Sequence, residues 1–384
     1  MTGYRMNCLW HTIRIAITAV GCMAAMSVSA KSPARNGWDT RPPECFTELR
    51  PQTKVCLPRY PWDKRLNKCF AEGVDPMLPG CKLENVWTSY AESATKLEWL
   101  FMLGEFELFE RGLTDITTTD VRFDSGNLKF RAATKAISTF LPSTGRIDGN
   151  LISRWKEALP SSTYVVIGEA MELHKQAWKV RGNGYAATVS PESWELFTIR
   201  LQQAENKLLE ASPSIKDTPL WHYMLLEVAL DSSKPANSFE KVFGNAIKRW
   251  PRAFAFYDLV LHRMSPKWGG SWEVIDAFIQ DQSRKMESSE GLSMYARLYL
   301  LLPEQDLVLG ATKMAWGKMQ PSFADLVTRY PDRIYKNRYA SFACLARDKA
   351  AFSQAMALLP RDELRPEAWL DGHSYDACMR WSMT

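Results

Sequence analysis

Residues 259–280, "LVLHRMSPKWGGSWEVIDAFIQ", hold two apolar runs separated by Pro266, Trp268, Gly269, Gly270 and Ser271. Whether this turn is a reactive loop or a corner between packed helices decides how the rest of the chain is read. The order of residues favours the corner. Pro266 cannot continue a helix, and the two glycines permit a positive φ or a close backbone approach. Ser271 stands where an N-cap belongs, and Glu273 falls in the first turn behind it, where the helix dipole favours a carboxylate. Trp268 is expected to drop back onto the apolar face. A ligand platform made by Trp268 and Trp272 is the competing reading.

The same punctuation recurs along the chain. In "WTSYAESATKLEWLFMLGEFELFERGLTDI", Trp87, Tyr90, Ala91, Ala94, Leu97, Leu100, Phe101 and Leu103 follow the i, i+3, i+4, i+7 template of an amphipathic helix, and Gly104 breaks it. Ser190-Pro191 places an N-cap ahead of Pro at the first helical position. Long strand-like alternation is absent, so residues 85–384 read as an all-α domain. "FGNAIKRWP" (243–251), "FADLVTRYP" (323–331) and "FSQAMALLP" (352–360) each end with Pro eight residues after Phe. "RYASFACLARDKAAFSQAMALLP" reads as one helical pair turning at Arg347-Asp348. Together these predict tetratricopeptide-like helical hairpin repeats, whose units bury their faces against neighbours.

The N-terminal region differs. Arg5 and Arg14 precede the apolar run "IAITAVGCMAAMSVSA", and Val28-Ser29-Ala30 offers small residues for cleavage after Ala30. Residues 1–30 therefore read as a signal peptide, and the mature protein as periplasmic or secreted. A lipid anchor at Cys22 is the variant of that reading; no segment is long and apolar enough to span a bilayer. Residues 31–84 form a small Pro/Cys-rich segment with Cys45, Cys56, Cys69 and Cys81. With Cys344 and Cys378 they give an even set, read as disulfides in an exported chain. Proximity favours two bonds among the first four and one between Cys344 and Cys378. Zinc spacing is absent.

Several ordered stretches, "LGEFELFERGL", "ISRWKEALPSS", "HKQAWKVRGNGYA", "WELFTIRLQQA", "RWPRAFAFYDLVLHRMSPKWGGS" and "ACLARDKAAF", ending in "ACMRW", carry a resemblance over roughly residues 97–381. The chain resembles a bacterial, mostly proteobacterial, domain-of-unknown-function family with a tetratricopeptide-like helical body and a P-[RK]-W-G-G-S turn. That resemblance implies a fold; it brings no catalytic residues, and residues 31–84 lie outside it.

Chemistry is sparse. A formal net charge of +5 with both signs interspersed does not mark a nucleic-acid surface. His174, His222, His262 and His373 fall in no metal pattern, and Glu169, Glu172 and His174 are not spaced for one helix face. "GGSWE" fails as a nucleophile elbow, and the GxGxxA at Gly182 lacks a preceding strand. No catalytic residue, metal site or cofactor is assigned. The expectation is an exported module that binds a protein or peptide, of the kind an immunity or adaptor protein requires. Arg181, Trp221, Arg249 and Trp316 are the candidate contacts, since aromatic and Arg anchors dominate such surfaces. The alternative is a periplasmic hydrolase or envelope glycan-binding protein.

Overall fold

The computed structural model describes residues 44–46, 55–57, 90–118, 120–139, 141, 151–232, 236–307, 312–370 and 374–384. The expectations for residues 1–30, Cys22, Cys69, Cys81 and His373 lie outside them. In the Cys-rich segment, β1 (Glu44–Phe46) pairs antiparallel with β2 (Val55–Leu57), and the register sets Cys45 opposite Cys56. All other regular structure among the described residues is helical, in sixteen α-helices and several short 3-10 turns. The fold is all-α and built from helical hairpins.

The first four helices are α1 (Tyr90–Leu103), α2 (Phe106–Thr117), α3 (Arg131–Thr139) and α4 (Leu151–Ala158). Gly104 takes φ +76° and separates α1 from α2, as its place in the sequence required. Phe101, Phe106 and Phe109 surround the fully buried Trp155 at centroid separations of 5.5, 6.4 and 5.2 Å. The indole N–H of Trp155 donates to Glu110 Oε1 at 2.7 Å, so its one polar group is satisfied.

Next come α5 (Val165–Arg181), α6 (Pro191–Glu210), the single turn α7 (Pro213–Lys216) and α8 (Pro219–Asp231). Ser190, Ser212 and Thr218 each accept from a backbone N–H three residues on, and each is followed by Pro at the first helical position. Such caps are worth about 1 kcal/mol apiece, and Pro there gives up no hydrogen bond. The series continues with α9 (Ala236–Arg249), α10 (Phe254–Arg263), α11 (Trp272–Glu290) and α12 (Met294–Tyr299). It closes with α13 (Trp316–Arg329), α14 (Arg333–Leu345), α15 (Lys349–Ala357) and α16 (Tyr375–Met383).

The Phe-to-Pro signature marks one recurring device. Phe243, Phe323 and Phe352 are buried, and so are Trp250, Tyr330 and Leu359, the residues just before each Pro. Pro251 and Pro331 lead into a new helix, α10 or α14. Pro360 leads only into the 3-10 turn Arg361–Glu363. The pair read at Arg347-Asp348 is α14 and α15. Arg347 holds φ +57°, and Asp348 caps α15 by accepting from Ala351 N at 2.9 Å. The Cys344–Cys378 disulfide is present and fastens α16 to α14, with both cysteines buried.

A turn from the N-terminal part is built into the C-terminal part. Residues 122–128 form a tight loop closed by a bridge between Arg122 and Leu128. Arg297 of α12, 1 % exposed, donates through Nη1 to Ser125 O and to Tyr335 Oη, both at 2.9 Å. Its guanidinium also lies 4.0 Å from the Phe254 ring centroid, 4.2 Å from Tyr330 and 5.1 Å from Tyr335. Its buried Nε and Nη2 have no hydrogen-bond acceptor among the described residues. The aromatic faces take that role, since a cation over a desolvated ring is held by the ring quadrupole. Gly126, at φ +77°, lies so close to Tyr330 that a Cβ would stand 2.2 Å from the ring. Arg122 adds a donation to Arg252 O at 2.8 Å.

Candidate functional site

Gly269 adopts the left-handed conformation at φ +86°, and a Cβ on Gly270 would stand 1.8 Å from Met264 O. Ser271 caps α11 by accepting from Val274 N. Across the corner, Tyr257 of α10 lies 6.4 Å from Phe278 and donates to Met286 Sδ at 3.2 Å, so α10 and α11 do pack. One detail differs from expectation. Trp272, not Trp268, packs against the main core. The 3-10 turn Pro266–Trp268 swings the Trp268 ring toward His262, where its N–H donates to Nε2 at 2.9 Å.

The four candidate contact residues are all engaged within the chain. Trp221 is buried, with its N–H donating to Leu208 O at 2.8 Å. Trp316 is half-buried at the start of α13 and donates to Asp348 Oδ2. Arg249 forms a two-pronged pair with Asp217 at 2.6 and 2.7 Å and stacks 4.4 Å from the Trp250 ring centroid. Arg181, only 9 % exposed, is held between Trp178 and Trp194, 5.2 Å from each ring centroid, and donates to Gly182 O and Gly184 O.

Arg181 locates a coherent feature. Where α5 and α6 meet, Ala177, Phe197 and Leu201 form a hydrophobic cluster separate from the main core, joined by Trp178 and Trp194. Trp178 and Trp194 meet Phe197 edge-on at 5.4 and 5.6 Å. The ends of these helices and the turn between them thus carry their own small core: an arm. α6 buries only the stripe Phe197, Leu201, Ala204 and Leu208. Around the arm Val180, Leu196 and Ile199 are exposed, and Tyr185 at the tip is 87 % exposed. Large apolar groups clustered on a surface mark contact sites more often than scattered ones do.

A buried polar pair ties the arm to the body. His174 of α5 and the Trp178 N–H both engage Asp231 Oδ2 at the end of α8, each at 2.7 Å. Burial works against protonated His174, but the Asp231 hydrogen bond and the Glu227 and Asp231 charges outweigh it, so its pKa is raised. His222, in the body beside Trp221 and Phe256, behaves oppositely. Burial holds its pKa down to about 4, with Arg249 adding to the effect against Asp217.

Leu196, Ile199, Trp194 and Val180 were not singled out by the sequence. Leu196 and Ile199, three residues apart and off the buried stripe of α6, were the available signal. Among the described residues, no group of three or more His, Cys, Asp or Glu is arranged to hold a metal ion, and no helix is long and apolar enough to cross a membrane. Comparisons with protein-family models, with curated proteins and with solved structures return no match.

Proposed function

We propose that this protein is an exported helical-repeat module, acting in the periplasm or outside the cell, that binds a protein or peptide partner through the α5–α6 arm. The observation that carries the reading is the separate aromatic cluster at the arm, whose helix ends and turn also carry the exposed Val180, Tyr185, Leu196 and Ile199. A pre-ordered apolar patch lowers the cost of association, because its side chains lose little freedom on binding. The Arg181 sandwich fixes the tip before any partner arrives. Membership of the tetratricopeptide-like bacterial family and an immunity or adaptor role are parts of this reading; the leader-like residues 1–30 support its compartment.

The test is site-specific photo-crosslinking in the intact cell envelope. A photoreactive residue at Tyr185 or Leu196 is expected to give one dominant adduct with another protein, lost when Ile199→Glu is added. Probes at the exposed Leu292 and Leu358 serve as controls. Equal adducts from arm and control positions would overturn the proposal.

A further inference from the structure

Away from the arm, an open groove of about 540 Å³ runs along α11, lined by Glu273, Asp276, Ala277, Gln280, Arg284 and Lys313. The α11 lining residues fall three and four apart and so share one face of the helix. Their charges are ordered along it: Glu273 and Asp276 at one end, the Gln280 amide between, Arg284 at the other.

Asp276 is half-buried, and among the described residues no cation lies within ion-pair distance of it. Its Oδ1 accepts from Tyr299 Oη at 2.6 Å and from Tyr295 Oη at 3.4 Å, and its Oδ2 accepts from the Gln280 amide. Lys318, the nearby cation, donates instead to Gln280 Oε1 at 2.8 Å. Oδ2 thus retains acceptor capacity, since a carboxylate oxygen takes two hydrogen bonds. The Glu273–Lys313 pair beside it is exposed on both sides and holds little energy. Arg284 is 68 % exposed, and its only carboxylate neighbour among the described residues, Asp281 at 3.7 Å, is bound more closely by Lys285 at 2.6 Å. Among the described residues, Asp276 therefore presents a carboxylate without a cation of its own, and Arg284 a guanidinium without a firm anion.

We infer that this groove binds a short peptide with both termini free, its ammonium on Asp276 and its carboxylate on Arg284. Asp276 and Arg284 are eight residues apart, a rise of about 12 Å along the helix. An extended tripeptide spans roughly 10–11 Å, and the reach of the two side chains covers the difference. Glu273 at that end is paired with Lys313, so the ammonium rests on Asp276 alone. Gln280 lies where a backbone group of the ligand passes. The inference is independent of the arm and of whatever the arm binds.

Calorimetric titration of the full chain with trialanine tests it. Saturable binding is expected, weakened at least tenfold by N-acetylation of the peptide and likewise by conversion of its C-terminus to the amide. Asp276→Asn is expected to abolish the penalty of N-acetylation, and Arg284→Gln that of amidation. Arg284 is exposed, so its variant keeps the test valid even if Asp276→Asn disturbs the Tyr295 and Tyr299 hydroxyls. Absence of saturable binding at millimolar trialanine would overturn the inference. So would equal affinity for the blocked peptides, or a simple diamine binding as tightly as trialanine, which would reduce the groove to an acidic surface.

Discussion

Two arginines in this molecule are held between aromatic rings, and their settings differ. Arg181 lies between Trp178 and Trp194 and donates to carbonyls one and three residues away. Arg297 lies among Phe254, Tyr330 and Tyr335 and donates to a carbonyl 172 residues away. The chemistry is nearly the same. The first locks one local turn, and the second joins the loop between α2 and α3 to α12 and α14. Sequence separation, not the type of contact, decides whether such a lock bears on the whole fold or on one part of it.

The largest effect is expected at the long-range lock. Arg297→Met keeps much of the apolar bulk but removes the charged donor to Ser125 O and Tyr335 Oη, leaving only the 3.3 Å bond between those two, which should cost about 3 kcal/mol. Urea unfolding should show it as one cooperative transition at lower denaturant. A change confined to exchange of a few local amides would show that Arg297 acts as locally as Arg181. Gly126→Ala attacks the same seam from the loop side. With a Cβ required 2.2 Å from the Tyr330 ring at a positive φ, the loss should be roughly 2 kcal/mol.

Arg181→Ala should behave differently, loosening the arm by about 1 kcal/mol. Hydrogen exchange should rise in residues 178–194 while the global transition stays in place. A matching fall in global stability would show that the arm and the body unfold as one.

The smallest expected effect distinguishes the regions by pH. The His222 pKa is lowered, so its stabilising contribution is present above the unfolded value of about 6.5 and lost as pH falls toward about 4. Since His222 is partly solvated, the loss between pH 7 and 5 should be only about 1 kcal/mol. The His174 pKa is raised, so its contribution is full below about 6.5 and lost as pH rises through the higher folded value. Mild acidification should therefore tighten the attachment of the arm while loosening the body. Exchange rates in both regions moving in the same direction would contradict the two assignments.

Local chemistry was the legible part of the sequence. The caps at Ser190 and Ser271, the break at Gly104 and the turn at Arg347-Asp348 are each settled by residues within four positions of one another, as was the corner at Gly269-Gly270. The Cys344–Cys378 bond was favoured by proximity alone. Trp268 and Trp272 were harder, because a 3-10 turn of three residues exchanged which ring reaches the core. Arg297 was illegible: nothing near "MYARLY" announces that its guanidinium holds residue 125. Arg181 was singled out for binding, yet its neighbouring tryptophans consume it, and the exposed groups lie beside it. Asp276 and Arg284 sit in an ordinary-looking helix, and only the opening along α11 sets them apart.

The grip of Arg297 on Ser125 also bears on the order of folding. An open array of hairpins can mature one unit at a time from the N-terminus, each docking on the last. Here the loop at 122–128 completes its bonding only after α12 and α14 have arrived, so a decisive contact of the first third awaits the last. Such long-range closure slows folding. A chain ending before Met294, which lacks both Arg297 and Tyr330, should stall as a partly assembled intermediate, with Phe254 still exposed to solvent and to chaperones.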